Sequence, residues 1–457
     1  MSSAPASLLA PTARQPDLRA ESHNQQLQLT AGSMRRWGVR SSLALADQGF
    51  TSGAGFLISL FLARWLSPAV YGAFAVAFAA SLFVSGFHNV LLLEPLSVMG
   101  PARHATNLGS YFRAQIRLHF LIVGGLSLTG ILATIVFGLV SPGNPLVPAL
   151  AGGSLALPFF LLLWLVRRMC YVAQKPSLAL SGSTIYLAVV VIGLFGLHNV
   201  GRIDPLSAFL LIGVAGLLAA TVVLRRIGRE IRPDKPLAVS ARAVFGENWS
   251  YGRWLVGSTV LYSVSSQTQM FLVAGMLGLE AAGILRAMQL PALVMTQVIS
   301  ATAILVLPSF SHDFGVGAIR RMRQKAFLVS SCLFAASIAV VVVLLVLRVP
   351  TEHLLFGGKY AATAWLMPLL ALVPAANSFG IGFSMALRAS QRPQFDLVAN
   401  AVAAPVSVLS ALALIHWWGL GGAAVSMSVS FAVIALVNYL SYSKCSLWAK
   451  LGERGPQ

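Results

Sequence analysis

Charge is what this sequence has least of. Only 10% of its 457 residues are Asp, Glu, Lys or Arg, against about 25% in a soluble globular chain. Acids are the scarcer sign, 13 against 32 Lys and Arg. The three cysteines, Cys170, Cys332 and Cys445, are odd in number and far apart, which gives neither a disulfide framework nor metal-ligand spacing. The phosphate-cradling G-x-x-x-x-G-K-[ST] run is missing, so the chain encodes no nucleotide-driven pump of its own. H-E-x-x-H and G-x-S-x-G are missing as well, and no outward-facing loop is long enough to carry a catalytic centre. The N-terminus lacks a charged segment followed by an apolar one and a small-residue cleavage site, so no cleaved signal peptide is expected. No catalytic residues, metal site or cofactor is expected, and the chain does not read as an enzyme.

What the chain has instead is apolar length. It is 57% hydrophobic with a mean hydropathy of +0.79, and its apolar stretches are long enough to cross a bilayer as helices. Twelve spans are expected, over residues 43–64, 73–99, 116–140, 146–170, 178–198, 205–224, 254–277, 284–309, 326–348, 363–387, 395–416 and 420–442. Residues 1–42, with Pro5, Pro11 and Pro16 and many Ser and Gln, are expected to form a disordered tail. Residues 443–457 form a second tail. Trp37 and Trp65 bracket the first span as interfacial anchors, and Trp254, Trp365, Trp417 and Trp418 mark other span ends.

Basic residues set the orientation. Of the 32 Lys and Arg, 27 fall on one side: the two tails, the 2–3, 4–5, 8–9 and 10–11 loops, and the stretch 225–253. The other side holds Arg64, Arg202, Arg348 and Lys359. The positive-inside rule then puts both termini in the cytoplasm. The net charge of +19 is thereby a topology signal with attraction to anionic lipid, not a nucleic-acid footprint.

The sequence also repeats itself. Leu66 and Gly72 are separated by six residues, as are Leu277 and Gly283, and each pair sits between apolar stretches. Pro95 follows Gly72 by 23 residues, and Pro308 follows Gly283 by 25. Ala173-Gln174-Lys175-Pro176 is echoed by Ser390-Gln391-Arg392-Pro393. Three collinear echoes indicate two halves, 43–224 and 254–442, joined by a cytoplasmic linker at 225–253. Six spans per half make the repeats parallel.

Polar groups inside spans are costly in lipid, so they face protein or a cavity. Gln48, Thr51, Ser52, Gly55 and Ser59 recur at helical spacing in span 1, beside Asp47. Span 2 carries Ser81, Ser85, His88 and Asn89, then Glu94. Span 7 carries Ser258, Tyr262, Ser265, Ser266 and Gln269. Span 8 carries Arg286, Gln289, Gln297 and Ser300. Each set lies on one helical face. Interhelical bonding within a bundle explains such stripes, and so does a polar cavity. Their concentration in spans 1, 2, 7 and 8 points to one cavity between the halves, lined by Gln48, Ser52, Ser85, His88, Asn89, Tyr262, Gln269, Arg286, Gln289 and Gln297. Asp47 and Glu94 are the carboxylates placed to carry a coupling proton.

The run Leu66-Ser67-Pro68-Ala69-Val70-Tyr71-Gly72 resembles the first-loop signature of the polysaccharide transporter family, the Wzx-type oligosaccharide flippases. Phe356-Gly357-Gly358-Lys359-Tyr360-Ala361-Ala362 is similar to their loop before span 10, and Leu387-Arg388-Ala389-Ser390-Gln391-Arg392-Pro393 to the turn after it. The resemblance covers most of residues 43–442. It implies an all-α integral membrane protein of twelve helices in two parallel six-helix repeats, forming a V-shaped bundle like that of the multidrug exporters in the same superfamily. It further implies a flippase for a lipid-linked oligosaccharide in the bacterial inner membrane. Its expected partners are that substrate, membrane lipids and a polysaccharide polymerase and export machinery. A cation-coupled small-molecule exporter of the same fold is the alternative, and a membrane enzyme of polysaccharide assembly comes third.

Overall fold

The computed structural model describes residues 18–231, 239–390, 392 and 394–444. Residues 1–17 of the expected N-terminal tail, 232–238 of the expected linker, 445–457 with Cys445, and Gln391 and Pro393 lie outside them.

The described residues are helical almost throughout. In chain order the helices are α1 (Leu18–Trp65), α2 (Pro68–His88), α3 (Glu94–Arg103), α4 (Leu108–Val140), α5 (Leu146–Val172), α6 (Pro176–Asn199), α7 (Pro205–Glu230), α8 (Ala241–Met276), α9 (Leu279–Gly315), α10 (Ile319–Phe356), α11 (Leu366–Ala389) and α12 (Gln394–Ser443). Residues 89–93 form a π turn that makes α2 and α3 one traverse. The turn has a local cause: Pro95 has no N–H to return to the preceding turn, and its ring displaces the backbone there. At the other end of the chain α12 folds back on itself at Gly419, whose φ is +54°. A side chain at Gly422 would overlap the Leu414 carbonyl across this hairpin. The twelve traverses expected from the sequence are therefore present. Nine helical stretches among the described residues are long and apolar enough to span by length and hydropathy alone. That number takes α12 once and leaves out α1 and α8, whose polar stripes dilute them.

Two boundaries differ from expectation. Helix α1 begins at Leu18, inside the stretch expected to lack order. No proline follows Pro16 there, and Leu, Ala, Gln, Glu and Arg are good helix formers. The chain between α7 and α8 is only residues 231–240, narrower than the expected 225–253, because the Arg-rich ends stay helical beyond the apolar stretch. Ser240 starts α8 by accepting from the backbone N–H groups of Arg242 and Ala243.

Each half packs around its own fourth traverse. In the first half α5 lies against α7, α4 and α2, and α1 leans on α6; in the second α11 lies against α10, α12 and α9. Small residues let these backbones approach, the usual means of association where lipid removes the hydrophobic drive. Polar glue adds to it. Pro158 leaves the Ser154 carbonyl without its helical donor, and the Ser127 hydroxyl from α4 donates to it at 2.6 Å.

The halves meet mainly where α2 crosses α9. A Cβ at Gly72 would overlap the Leu279 carbonyl, and one at Gly283 would overlap the Pro68 carbonyl. The two glycines that marked the repeat are thus the point at which the repeats touch. This contact lies at the face of the bundle away from the Arg-rich loops, called the far face below; the opposite face is the basic face.

Candidate functional site

The seam between the halves is built from α1 and α2 on one side and α8 and α9 on the other. Just inside the Gly72–Gly283 crossing, Tyr71 is fully buried. Its hydroxyl has Ser59 of α1 and Arg286 of α9 as polar neighbours, though no direct bond to it closes in this conformation. Arg286 is half-buried and donates to Gln289 Oε1 at 3.4 Å. Gln289 in turn approaches Met427 Sδ at 3.0 Å. A guanidinium of the second half thus faces a buried hydroxyl of the first across the seam without bonding it.

Further along the seam, towards the basic face, a chain of polar bonds joins α1 to α9. Gln48 Nε2 donates to Ser52 at 3.2 Å, and Ser52 donates to Gln297 Oε1 at 3.0 Å. Gln48 and Gln297 are exposed and Ser52 half-buried. Three of the expected cavity residues therefore do meet, from opposite halves.

On the other flank the seam is closed at the basic face. Gln115 of α4 and Asn248 of α8 exchange two amide bonds of 3.3 and 3.1 Å. Gln115 also donates to the Tyr111 hydroxyl at 2.8 Å. His104 stacks on Tyr111 with ring centroids 4.1 Å apart and pairs with Glu247 at 2.9 Å. Gln115 and Asn248 fall outside the spans expected from residues 116 and 254, because α4 and α8 run on past those limits; their polar side chains next to an apolar stretch are the only sequence signal.

Asp47, His88 and Gln269 sit elsewhere, inside one half or the other. Asp47 is 0% exposed and lies inside the first half, not in the seam. It accepts from Arg167 through Nε at 3.1 and 3.2 Å and through a terminal nitrogen at 2.7 Å, from the Tyr171 hydroxyl at 2.5 Å and from Ser183. His88, 2% exposed, is also interior. It lies 3.1 Å from His119, whose Nε2 donates to the Pro158 carbonyl at 2.9 Å. That carbonyl can only accept, so His119 Nδ1 is the acceptor and His88 Nε2 the donor when both rings are neutral. Ser85 turns back to the Leu82 carbonyl at 2.7 Å. Gln269 is 1% exposed inside the second half, donating to Ser407 at 2.8 Å and Ser430 at 3.2 Å. Asn89 donates to Glu94 at 2.9 Å, with Arg168 and Tyr251 within electrostatic reach of that half-buried carboxylate. Tyr262 is 51% exposed on α8. A cavity of about 70 Å³ lies within the first half, lined by Thr51, Ile58, Ser59, Phe78, Trp164 and Tyr186 among others. No group of three His, Cys, Asp or Glu among the described residues could hold a metal ion.

Comparison with known proteins adds a fold and a relative. No family model matches the chain. It is similar to the succinoglycan biosynthesis transport protein ExoT of Rhizobium meliloti (strain 1021), 26% identical over 333 residues. That match covers 70% of this chain and 63% of the relative's length. Among solved structures it resembles the inward-facing conformation of a multidrug resistance MATE family transporter of the MOP superfamily, with a TM-score of 0.70 at 13% identity, over 91% of this chain and all of the other. It also resembles the lipid II flippase MurJ in an inward closed conformation, with a TM-score of 0.66 at 14% identity, over 87% of each chain. The fold is thus a MATE-like membrane bundle, and the similarity to ExoT agrees with the resemblance to polysaccharide transporters.

Proposed function

We propose that the chain is a flippase that moves a lipid-linked, undecaprenyl-type oligosaccharide across the bacterial inner membrane by alternating access of its two halves. The material would serve exopolysaccharide, capsule or O-antigen synthesis. The observation that carries this reading is Arg286, set in the seam between the halves beside Tyr71, Ser59 and Gln289. A sugar head group cannot enter hydrocarbon alone, since each unpaired hydroxyl costs about 2–7 kcal/mol. A polar seam replaces water's bonds while the isoprenoid tail stays in lipid. The charge favours an anionic head group, an acidic sugar or the pyrophosphate link, and the planar fork of Arg suits bidentate binding. ExoT, a transport protein of succinoglycan biosynthesis, supports the same substrate class.

Of the two carboxylates expected to couple transport, Glu94 is half-buried and accepts from Asn89, with Arg168 and Tyr251 nearby. Asp47 is committed to a guanidinium. In the orientation proposed from the loop charges, the basic face is cytoplasmic and the far face periplasmic. Single cysteines by Ser240→Cys and Thr351→Cys test it: in intact cells an impermeant thiol reagent should label the second and spare the first.

Removal of the gene should stop polymer export and leave lipid-linked oligosaccharide on the cytoplasmic leaflet, and the wild-type chain should restore export. Arg286→Lys should restore part of it, and Arg286→Ala and Arg286→Glu none, at equal protein level. Wild-type export from the Ala and Glu variants would overturn the reading. A cation-coupled small-molecule exporter is the second reading, favoured by the MATE-like fold. It predicts uptake of a cationic dye into vesicles with no lipid tail attached. A cation in the seam beside Tyr71 opposes cationic cargo.

A further inference from the structure

The loop after α10, Phe356-Gly357-Gly358-Lys359-Tyr360, reaches across the far face to the other half of the molecule. We infer that Lys359, seated on the open end of α1, is the latch that holds the exit on this face shut. A helix ends with carbonyls that have no helical donor. In α1 the Leu62 carbonyl is taken by the Leu66 N–H at 2.9 Å, and the oxygens presented beyond it include those of Ala63 and Arg64 in the helix and of Leu66 just past its end. The Lys359 ammonium has three N–H donors and lies 3.2, 2.5 and 2.9 Å from those three oxygens. The Tyr360 hydroxyl adds a bond to the Ala63 carbonyl at 3.2 Å. The negative end of the α1 dipole favours the cation further.

The capping is reciprocal. Arg64, in the last turn of α1, donates to the Leu354 carbonyl at 3.1 Å, in the last turn of α10. Each half thus closes a helix end of the other. The loop is shaped for the task. Gly357 and Gly358 have φ of +70° and +88°, which turn the chain back from α10 at no steric cost. The fully buried Glu352 accepts the Tyr360 N–H at 2.7 Å, and the Phe356 and Tyr360 rings meet edge to face at 5.4 Å. The loop is therefore fixed to its own half, and Lys359 and Tyr360 reach from it across the gap as Arg64 reaches back. Lys359 itself is exposed, and its polar bonds at a wet rim break more readily than a packed apolar contact, as a gate requires.

This rests on alternating access and on the proposed orientation, not on the identity of the cargo, so the test needs no substrate. In the full-length chain in intact cells, Ser59→Cys places a thiol just inside the closed end, and an impermeant maleimide reports its access from the periplasm. With Lys359 present, labelling should be low. Lys359→Met, which keeps the stem and loses the donors, should raise the labelling rate roughly tenfold, a factor that corresponds to about 1.4 kcal/mol. Tyr360→Phe removes one bond of the same set. It should raise labelling by a smaller factor, and it decides the matter if the Met variant fails to accumulate. The native Cys170 lies at the basic-face end of α5, out of the reagent's reach, so melting in detergent is measured beside labelling to separate gate opening from general loosening. Unchanged labelling in both variants at equal protein level would overturn the latch, as would a rise in labelling matched by a large fall in melting temperature, since that is general loosening.

Discussion

The two halves share a backbone plan and differ in how they hold their first helix. In the first half α1 is tied down by a buried ionic knot, Asp47 with Arg167, Tyr171 and Ser183. In register with Gly72 and Gly283, the counterpart of Asp47 in α8 is Ser258, and its hydroxyl bonds only the Leu255 carbonyl of its own helix. The second half holds α8 by a neutral knot deeper in the bundle, Gln269 with Ser407 and Ser430. In the first half the counterpart of Gln269 is Ile58, which lines the 70 Å³ cavity. The span that carries Arg167 and Tyr171 has its own echo: in register with Pro176 and Pro393, their counterparts are Ser384 and Arg388. These two also bind a carboxylate, but it is Asp396 of α12, not an acid of the first helix. The repeat therefore fixes where helices approach, through glycine, and leaves the polar chemistry between them free to differ.

The sharpest way to break this comparison is to remove the two acids in turn. Asp47→Asn leaves the Arg167 guanidinium, 11% exposed, without its charge partner. Breaking one side of a buried ion pair costs about 3–5 kcal/mol, so the variant should melt far below wild type in detergent and accumulate poorly. Asp396→Asn frees an Arg388 that is 51% exposed, and it should cost about 1 kcal/mol or less. Equal losses would mean that the two acids do the same work and that the asymmetry is only geometric.

The glycine crossing is the part of the comparison that should be symmetric. Gly72→Ala and Gly283→Ala each drive a methyl group into a backbone carbonyl of the opposite half, so the halves must part. Overpacking of this kind costs about 1–3 kcal/mol, and the two variants should lose similar amounts. Both should also raise labelling of the Ser59→Cys probe. A large loss from one alone would show that the contact is not a true two-fold seam. A smaller effect is expected from Gln269→Ala. Polar bonds between membrane helices are worth about 0.6 kcal/mol on average and up to about 1.7. The melting shift should fall in that range and leave export unchanged, because Gln269 is inside its own half.

Much of this architecture was legible in the chain because it rests on patterns of backbone and lipid. The twelve apolar stretches, the charge asymmetry and the echo of Leu66–Gly72 in Leu277–Gly283 are set by what a bilayer and a close helix crossing require. The polar side chains were less legible. A stripe such as Gln48, Ser52 and Gly55 has the same helical period whether it faces a seam or a neighbouring helix. Period alone could not separate Gln297, which crosses to α1, from Gln269, which stays inside its bundle. Nor could it show that Asp47 is saturated by residues 120 to 136 positions away. Lys359 stood in a motif assigned by resemblance, and its role rests on the end of α1, some 295 residues earlier, which no local pattern contains.

The smallest expected effect on stability belongs to the seam between α1 and α9. Ser52 is bonded to Gln48 and Gln297 at 3.2 and 3.0 Å, in a setting open enough that both amides are exposed. Water can replace those bonds, so Ser52→Ala should change the melting temperature hardly at all, by about 0.5 kcal/mol or less. Its effect on export should be larger than its effect on stability. If the proposed flippase opens between α1 and α9 to pass a head group, the loss of one cross-seam bond alters the balance of open and closed seams directly, whereas Gln269→Ala does not touch that balance. Export measured against protein level should therefore change in Ser52→Ala and stay at wild type in Gln269→Ala, the reverse of their order in melting. The same order in both measurements would mean that Gln48, Ser52 and Gln297 are interhelical glue like the knot in the second half, and that the seam opens elsewhere.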